Sequence, residues 1–192
     1  MSQPVIAVLD YGIGNLRSAE KALQKVGGDA RLTRDPAFVA SADAVVLPGV
    51  GAFGACMDAL RDVQLESVTH DAVASGVPFL GICVGMQMLF EESDEAPGIK
   101  GLGVLPGKVR RLPDGLARPQ MQWNQLDIRL PGCPLLQGIE DRSWMYFVHS
   151  YAVETDPGLV IATCEYGADL TAMVGKGSLW ATQFHPEKSG AK

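Results

Sequence analysis

Three short apolar runs, each followed closely by a turn or a helical pattern, constrain the fold of this chain more than any other sequence feature. They are "VIAVLD" at 5–10, "ADAVVLPG" at 42–49 and "VPFLGIC" at 77–83. Runs of this length without polar alternation are typical of strands buried on both faces of a sheet. The segments between them have apolar residues at helical spacing. This alternation predicts a parallel sheet with helices on both faces.

The helical segments are predicted from the spacing of their apolar residues. The first has its apolar face at Leu16, Ala19, Leu23 and Val26. It should end where Gly27 and Gly28 follow. The stretch 52–75 is also predicted to be helical, with one apolar stripe made by Phe53, Met57 and Leu60. A further helix, 84–91, should follow the third strand.

From about residue 101 the chain is richer in β-branched residues, glycine and proline, which is typical of short strands and hairpins. The segments with this pattern are "GVLPGKVRRL", "QLDIRL", "WMYFVHSYAV", "LVIATCEYG" and "LTAMVGKGSLWATQFHP". We expect them to be added to the sheet. The predicted fold class is therefore α/β, with an open, mostly parallel central sheet, helices on both faces and added antiparallel strands. No linker separates the halves, so we expect residues 1–192 to form one domain.

Charge, cysteine spacing and the lengths of the apolar runs argue against several classes of function. The net charge of −6 argues against nucleic-acid phosphates as the main partner. No apolar run is long enough to span a membrane, and "MSQPVIAVLD" lacks the features of a signal peptide. Cys56, Cys83, Cys133 and Cys164 are far apart without a C-x-x-C pair, so we expect no metal site. A reducing cytoplasm is the simplest compartment.

A cysteine between two glycines follows the third apolar run, in "GICVGMQMLF" at 81–90. G-x-C-x-G at a strand-to-helix junction has the form of a nucleophile elbow with cysteine in place of serine. Gly81 and Gly85 would let neighbouring backbone approach, and the N-terminus of the next helix favours a thiolate at Cys83. The alternative is a buried cysteine that only fills space at the end of a strand.

A second chemical motif, "QFHPEKS" at 183–189, places His185 and Glu187 two residues apart. At a strand end both side chains can point the same way, and the carboxylate then fixes the tautomer of the imidazole. Such an imidazole can serve a nucleophile as general base and acid. The alternative is a surface His-Pro turn, but the cysteine elbow in the same chain favours catalysis. The other histidines have ordinary interpretations, His149 as a satisfied core residue and His70 on a helix surface.

The glycine-rich stretch "LPGVGAFG" at 47–54 follows the second apolar run. Backbone N–H groups in such a loop can stabilise a developing oxyanion, and Val50 and Gly51 are the natural donors. The alternative is an ordinary strand-to-helix loop. In "GIGNLRS" at 12–18, Arg17 stands where a dinucleotide-binding loop needs its third glycine, so we expect no cofactor there or elsewhere.

Together the motifs resemble those of the class I glutamine amidotransferases, and within them the glutaminase subunits of imidazole glycerol phosphate synthase. The shared segments span nearly the whole chain in order: "DYGIGNL" at 10–16, "LPGVGAFG", "GICVGMQMLF", "WN" at 123–124, "YFVHSY" at 146–151 and "QFHPEKS". The elbow and H-P-E are shared by many amidotransferases, whereas "DYGIGNL", "PGVGAF" and "FVHSY" point to this member. The resemblance implies a flavodoxin-like fold.

The resemblance also implies hydrolysis of L-glutamine to glutamate and ammonia. At the matching positions, Cys83 attacks the side-chain amide, His185 activates the thiol and protonates the departing ammonia, and Glu187 orients His185. A γ-glutamyl thioester forms and is then hydrolysed. The positions that match substrate or oxyanion contacts are Val50, Gly51, Gln87, Glu95, Ser150 and Tyr151.

A partner subunit is a further implication of the resemblance. It is a (β/α)8-barrel cyclase subunit in a heterodimer, which receives the ammonia through a channel and makes imidazole glycerol phosphate and an aminoimidazole carboxamide ribonucleotide in histidine biosynthesis. Asn15, Trp123 and Lys188 match positions near that partner. We expect neither nucleic acid nor a membrane as partner. The glycine-flanked "GVG" suggests the hypothesis that the oxyanion backbone forms only when partner and substrate bind.

Two alternatives remain open at this point. One is the glutaminase subunit of another amidotransferase; the other is a non-catalytic docking subunit on the same fold, which predicts loss of a triad member. The chain departs from the family at Gln122, where glycine is usual, so we expect the local loop or interface to differ. It ends in "SGAK", where the family commonly continues into an apolar helix, so we expect a shortened or different end.

Overall fold

A computed structural model describes residues 3–190 of the chain. Its first half alternates strands and helices. In chain order these elements are β1 Val5–Leu9, α1 Leu16–Lys25, β2 Asp29–Thr33, α2 Pro36–Ser41, β3 Ala44–Gly49, α3 Phe53–Asp62, α4 Leu65–Ala74, β4 Phe79–Cys83 and α5 Val84–Met88. The alternation agrees with the predicted order except for one additional strand, β2, and one additional helix, α2.

The second half is built almost entirely of strands. They are β5 Glu92–Ser93, β6 Lys108–Arg111, β7 Gln120–Gln125, β8 Asp127–Ile128, β9 Trp144–His149, β10 Tyr151–Glu154, β11 Val160–Glu165, β12 Asp169–Lys176 and β13 Leu179–Thr182. Short 3₁₀ turns lie at Pro134–Leu136, Pro157–Leu159 and Pro186–Lys188.

Within the described residues, the central sheet has eight strands in the order β2-β1-β3-β4-β13-β12-β11-β8. The five neighbouring strands β2, β1, β3, β4 and β13 pair in parallel. Strands β12, β11 and β8 then extend the sheet with antiparallel pairing. The predicted fold class, an open and mostly parallel sheet with added antiparallel strands, is confirmed. Cys83 pairs with Gly49 at the carboxyl ends of β4 and β3, and β13 ends beside them. Ligands of open α/β sheets bind outside such strand ends.

The prediction that all later strands join the central sheet is wrong. Strands β10, β6 and β5 form a separate three-stranded sheet, and β7 and β9 pair as a two-stranded sheet. The two-stranded sheet pairs Trp123 with Tyr146 and Gln120 with His149. In β7 the apolar Met121 and Trp123 are exposed while Gln120 is buried, so the sequence pattern does not distinguish an added sheet from an extension of the first.

The first half also departs from prediction in several places, one of which is that α5 ends at Met88 although the helix was predicted to run over 84–91. Strand β2, "DARLT", was not predicted because its mixed polarity lacks the buried-strand pattern. The predicted helix 52–75 is two helices, because Gln64 adopts a left-handed conformation with φ of 60° between them. Val26 was predicted on the buried helix face but is 83% exposed, because α1 ends at Lys25 and Gly27, with φ of +98°, turns the chain.

Two apolar cores meet along β13. The larger core contains the buried residues of β1, β3, β4 and α3. Leu179 and Ala181 of β13 also belong to it. The smaller contains Phe147, Met173 and Phe184, which follows β13. Strand β13 therefore brings "QFHPEKS" to the seam between the cores, next to the end of β4. Across residues 3–190, no helix is long and apolar enough to cross a membrane, and no His, Cys, Asp and Glu cluster suits a metal ion.

Candidate active site

Cys83 lies at a sharp turn between β4 and α5. Its φ of 56° and ψ of −113° are values that residues with a side chain rarely adopt, and it is only 3% exposed. The turn depends on close backbone approach, since a Cβ atom on Gly85 would collide with the carbonyl oxygen of Leu47 in β3. A Cβ on Gly81 would lie 3.0 Å from the carbonyl oxygen of Gly85. The predicted elbow is present; Gly85 has no room for a side chain, and the space at Gly81 is tight.

His185 lies beside this cysteine in the following arrangement. Its Nδ1 is 2.8 Å from Oε1 of Glu187, whose side chain is 4% exposed. Cys83 lies close enough to the ring to act on its pKa. Because Nδ1 is engaged by the carboxylate, Nε2 is the nitrogen left for the sulfur. The structure thus brings together the three residues predicted to form a triad, with His185 hydrogen-bonded to Glu187 and placed near Cys83.

The protonation of His185 follows from these contacts. Burial disfavours the charged ring and acts to lower its pKa. The interactions with Cys83 and with Glu187 outweigh burial and raise the pKa to about 9. At neutral pH His185 is therefore an imidazolium between a sulfur and a carboxylate, which is suited to donating a proton to a leaving group.

This raised pKa predicts how stability depends on pH. The folded pKa of about 9 exceeds the ordinary value of 6.5, so the stabilisation is fully present below pH 6.5 and is lost as the pH rises through about 9. Glu187→Gln removes one cause of the shift. We expect wild type to exceed Glu187→Gln in free energy of unfolding by about 1 kcal/mol at pH 6. The difference should shrink by pH 10; urea titrations across this range that showed it constant or growing would contradict the assignment.

The turn that carries His185 is fixed to β9 by backbone contacts. The His185 N–H donates to the carbonyl oxygen of Tyr146 at 3.0 Å. The Ser189 hydroxyl donates to the carbonyl oxygen of His185 at 2.6 Å and accepts from the Tyr146 N–H at 3.0 Å. The backbone N–H and the carbonyl oxygen of Tyr146 both form hydrogen bonds to this turn, so the position of His185 depends on that of β9.

Two buried side chains donate hydrogen bonds to backbone carbonyl oxygens of the "PGVG" segment at 48–51. The hydroxyl of Tyr11 donates to the carbonyl oxygen of Pro48 at 2.6 Å, and burial raises its pKa so that it stays protonated. The thiol of Cys56 donates to the carbonyl oxygen of Val50 at 3.3 Å, and burial raises the pKa of this thiol to about 11. The carbonyl and amide of a trans peptide point in opposite directions, so the N–H of Gly51 points away from Cys56.

A small cavity of about 160 Å³ opens next to Cys83. Most of the predicted substrate contacts line it: Gly51, Gln87, Glu95, Ser150 and Tyr151. Val50 is half-buried one residue outside this lining. Glu95 also fixes the start of α3, because its Oε2 accepts from the N–H of Phe53 at 2.7 Å.

Two residues near Cys83 were missed or misjudged from the sequence. His149 also lines the cavity; its Nδ1 contacts the carbonyl oxygen of Tyr151 at 2.8 Å, while Nε2 finds no partner within residues 3–190. Burial lowers its pKa to about 4, so it is neutral. Only one of the two ring nitrogens of His149 therefore has a hydrogen-bond partner in the described part of the chain. Gln183, in no predicted role, lies with its Nε2 3.7 Å from the sulfur of Cys83. His70 is exposed on α4, as predicted.

The predicted partner contacts surround the turn that follows His185. Trp123 is 48% exposed and lines a surface cavity with Ser189. Lys188 is exposed in the 3₁₀ turn, and α1, which Asn15 precedes, contacts that turn. The exposed β7 position of Gln122 is next to Trp123. These residues therefore lie around one side of the molecule, close to the triad.

Comparison with known proteins defines the class of this fold and site. A family model described as glutamine amidotransferase class-I matches residues 7–192. A solved structure described as a glutamine amidotransferase covers 95% of this chain and 90% of its own, with a TM-score of 0.75 and 25% identity. PurLQS from Thermotoga maritima shares the fold with a TM-score of 0.78 at 20% identity, covering 97% of this chain and 89% of its own. The chain belongs to the class-I glutamine amidotransferases.

Within that class the similarity is more specific. The imidazole glycerol phosphate synthase subunit HisH of Synechococcus elongatus is 51% identical, over 98% of this chain and 88% of that protein. The subunit of the same name from Methanothermobacter thermautotrophicus is 49% identical, over 97% of this chain and 92% of that protein. The chain belongs with these HisH subunits.

Proposed function

We propose that the protein is the glutaminase subunit of an imidazole glycerol phosphate synthase. It hydrolyses L-glutamine to glutamate and ammonia, and it delivers the ammonia to a cyclase partner in histidine biosynthesis. The observation that carries the proposal is the strained Cys83 in contact with His185 and Glu187, in a chain about half identical to HisH subunits over nearly its whole length. We take residues 1–192 as one functional domain.

The first half-reaction forms a thioester. The thiolate of Cys83 attacks the side-chain amide carbon of glutamine, and the carbonyl oxygen becomes an oxyanion. N–H groups of the Val50–Gly51 segment stabilise this charge, supported by the position of Gly51 on the cavity. When the C–N bond breaks, His185 gives its proton to the nitrogen, so ammonia leaves and a γ-glutamyl thioester remains.

The second half-reaction restores the enzyme. Neutral His185 takes a proton from water as the water oxygen attacks the thioester, and the C–S bond breaks to release glutamate. The Cys83 thiolate and the His185 imidazolium are then both regenerated. Glu187 holds Nδ1 throughout and keeps Nε2 directed at the reacting atoms. Gln87, Glu95, Ser150 and Tyr151 are proposed to hold the rest of the glutamine, since each lines the cavity.

The proposed partner site is an exposed aromatic face on the two-stranded sheet. Met121 is 65% exposed, Trp123 48% and Trp144 54%. Register places Trp123 opposite Tyr146 and Gln125 opposite Trp144, so these side chains share one face. Large exposed aromatic groups of this kind are typical of protein interfaces. We propose that a (β/α)8-barrel cyclase subunit docks here, with Asn15 and Lys188 at the rim.

If the cyclase subunit docks on this face, a substitution on the face should weaken its binding, and a substitution elsewhere on the surface should not. Trp123→Ala should weaken binding of the cyclase subunit by about 2 kcal/mol, because it removes a large apolar side chain from the contact. Val26→Ala is a matched control, since Val26 is exposed at the end of α1. Titration calorimetry of both variants against the cyclase subunit measures the effect. Equal affinities for the two variants would exclude this face.

Delivery to a partner also fits the chemistry of the product. Free ammonia takes up a proton in neutral water and is then no longer a nucleophile, so direct transfer preserves its reactivity. We place the enzyme in the cytoplasm, because a catalytic thiol suits a reducing compartment.

The decisive experiment measures glutamate release by the purified protein. It is run alone, with the cyclase subunit, and with the cyclase subunit plus its nucleotide ligand. We expect turnover to rise when partner and ligand are present, because the oxyanion backbone is completed by docking. Absence of glutamate release in every condition would refute the glutaminase assignment. Equal turnover in all three would refute partner-dependent completion of the oxyanion site.

A further inference from the structure

Gln183 lies between the nucleophile and a proposed substrate contact. It follows β13, and its exposed fraction is 0%. Its Nε2 is 3.7 Å from the sulfur of Cys83, and its Oε1 accepts a hydrogen bond from Nε2 of Gln87 at 3.0 Å. A fully buried amide in this position needs both groups satisfied, and here each faces a residue of the site.

The orientation of both amides is fixed by one backbone group. The carbonyl oxygen of Tyr151 can only accept hydrogen bonds, and Gln87 approaches it at 3.2 Å with the same nitrogen that meets Gln183. The Gln87 NH₂ group must therefore face Gln183, so Gln183 presents its oxygen in return. Its own NH₂ group is then left facing Cys83. A reversed Gln183 would place two NH₂ groups against each other.

This orientation has a consequence at each end. At Cys83, an N–H donor favours the thiolate over the thiol, since a hydrogen bond to a charged acceptor stabilises that form. At Gln87, the NH₂ group is occupied by two acceptors, which leaves its Oε1 free for the cavity that Gln87 lines. An oxygen in that position accepts from an N–H group of a ligand, such as the ammonium of an amino acid.

We propose that Gln183 is a further catalytic residue: its NH₂ group stabilises the Cys83 thiolate, and its carbonyl oxygen holds Gln87 in the orientation that accepts from the substrate ammonium. The second role rests on the proposed glutaminase function, whereas the first concerns only the reactivity of the sulfur.

Two substitutions separate the roles. Gln183→Met has a similar shape and loses both the donor and the acceptor. Gln183→Glu keeps an oxygen for Gln87 but replaces the NH₂ group beside the sulfur with a second oxygen. Thr182→Val is the control, because Thr182 is a buried neighbour whose hydroxyl bonds to the carbonyl oxygen of Phe184 and not to the site.

The first measurement is the rate at which iodoacetamide alkylates Cys83 between pH 5 and pH 10, followed by mass spectrometry of the peptide that contains it. We expect both Gln183 variants to shift the midpoint of this profile upward by about one pH unit. At pH values below the midpoint, this shift corresponds to an alkylation rate about tenfold lower than that of wild type. Thr182→Val should follow wild type. Wild-type profiles in both folded Gln183 variants would overturn the thiolate role.

The second measurement is glutaminase kinetics of the same variants in the complex with the cyclase subunit. Gln183→Met should raise KM for glutamine about tenfold and also lower kcat, whereas Gln183→Glu should lower kcat with little change in KM. A wild-type KM in Gln183→Met would overturn the role in positioning Gln87. If wild type itself releases no glutamate while the alkylation shifts persist, the proposed function fails and the contact between Gln183 and Cys83 stands.

Discussion

Cys83→Ala is expected to abolish glutamine hydrolysis, lowering kcat/KM by about 10⁴-fold or more. The reason is that a methyl group cannot form the thioester through which the proposed reaction proceeds. The measurement is glutamate release in the complex with the cyclase subunit, where wild-type turnover should be highest. Substantial glutaminase activity in the variant would overturn the role of Cys83 as nucleophile.

Cys83→Gly is the matched comparison, because it also lacks the sulfur but relieves the backbone. A φ of 56° is strained for alanine and free of strain for glycine. Both variants should be inactive, yet Cys83→Gly should be about 1 kcal/mol more stable than Cys83→Ala. Equal free energies of unfolding for the pair would show that the elbow stores no strain at this residue.

Gly85→Ala should have the largest effect on stability, a loss of about 3 kcal/mol or more in the free energy of unfolding. The new Cβ would collide with the carbonyl oxygen of Leu47, which belongs to the neighbouring strand and cannot rotate away. Either β3 and α5 must separate or the elbow must open. Chemical denaturation measures the loss, and glutaminase activity should fall with it because Cys83 is displaced.

Gly76→Ala distinguishes a steric collision from the general cost of replacing glycine. A Cβ on Gly76 would meet nothing within 4 Å, although its φ of +77° disfavours alanine. We expect a loss of about 1 kcal/mol. If Gly85→Ala were no more destabilising than Gly76→Ala, the close approach of β3 to the elbow would not be a determinant of stability.

The sequence was most informative where chemistry and backbone geometry impose the same residues. Cys83 was identified between glycines because a sharp turn needs small neighbours, and the structure shows what each glycine avoids. His185 and Glu187 were paired because their spacing at a strand end places both side chains together. The parallel half of the sheet followed from apolar runs that only burial on both faces explains.

Other features carry no sequence signal that could have revealed them. The break between α3 and α4 occurs at Gln64, which is neither glycine nor proline, so tertiary packing sets its φ of 60°. Gln183 gains its position from Cys83 and Gln87, contacts that exist only after β13 pairs with β4. His149 sits in an apolar strand, and only the structure shows one of its nitrogens without a partner in the described chain.

Strand β13 lies between β4 and β12 in the sheet but comes late in the chain. The surroundings of Cys83 are therefore completed late in protein synthesis. As the chain leaves the ribosome, β4 and Cys83 emerge long before residues 179–187, so β4 is at first an unpaired sheet edge. At that stage Cys83 has neither His185 nor Gln183 beside it. Insertion of β13 closes this edge and brings His185 and Gln183 to Cys83 in the same step. Any reactivity of Cys83 that depends on the proposed roles of His185 and Gln183 would therefore arise only when folding is nearly complete.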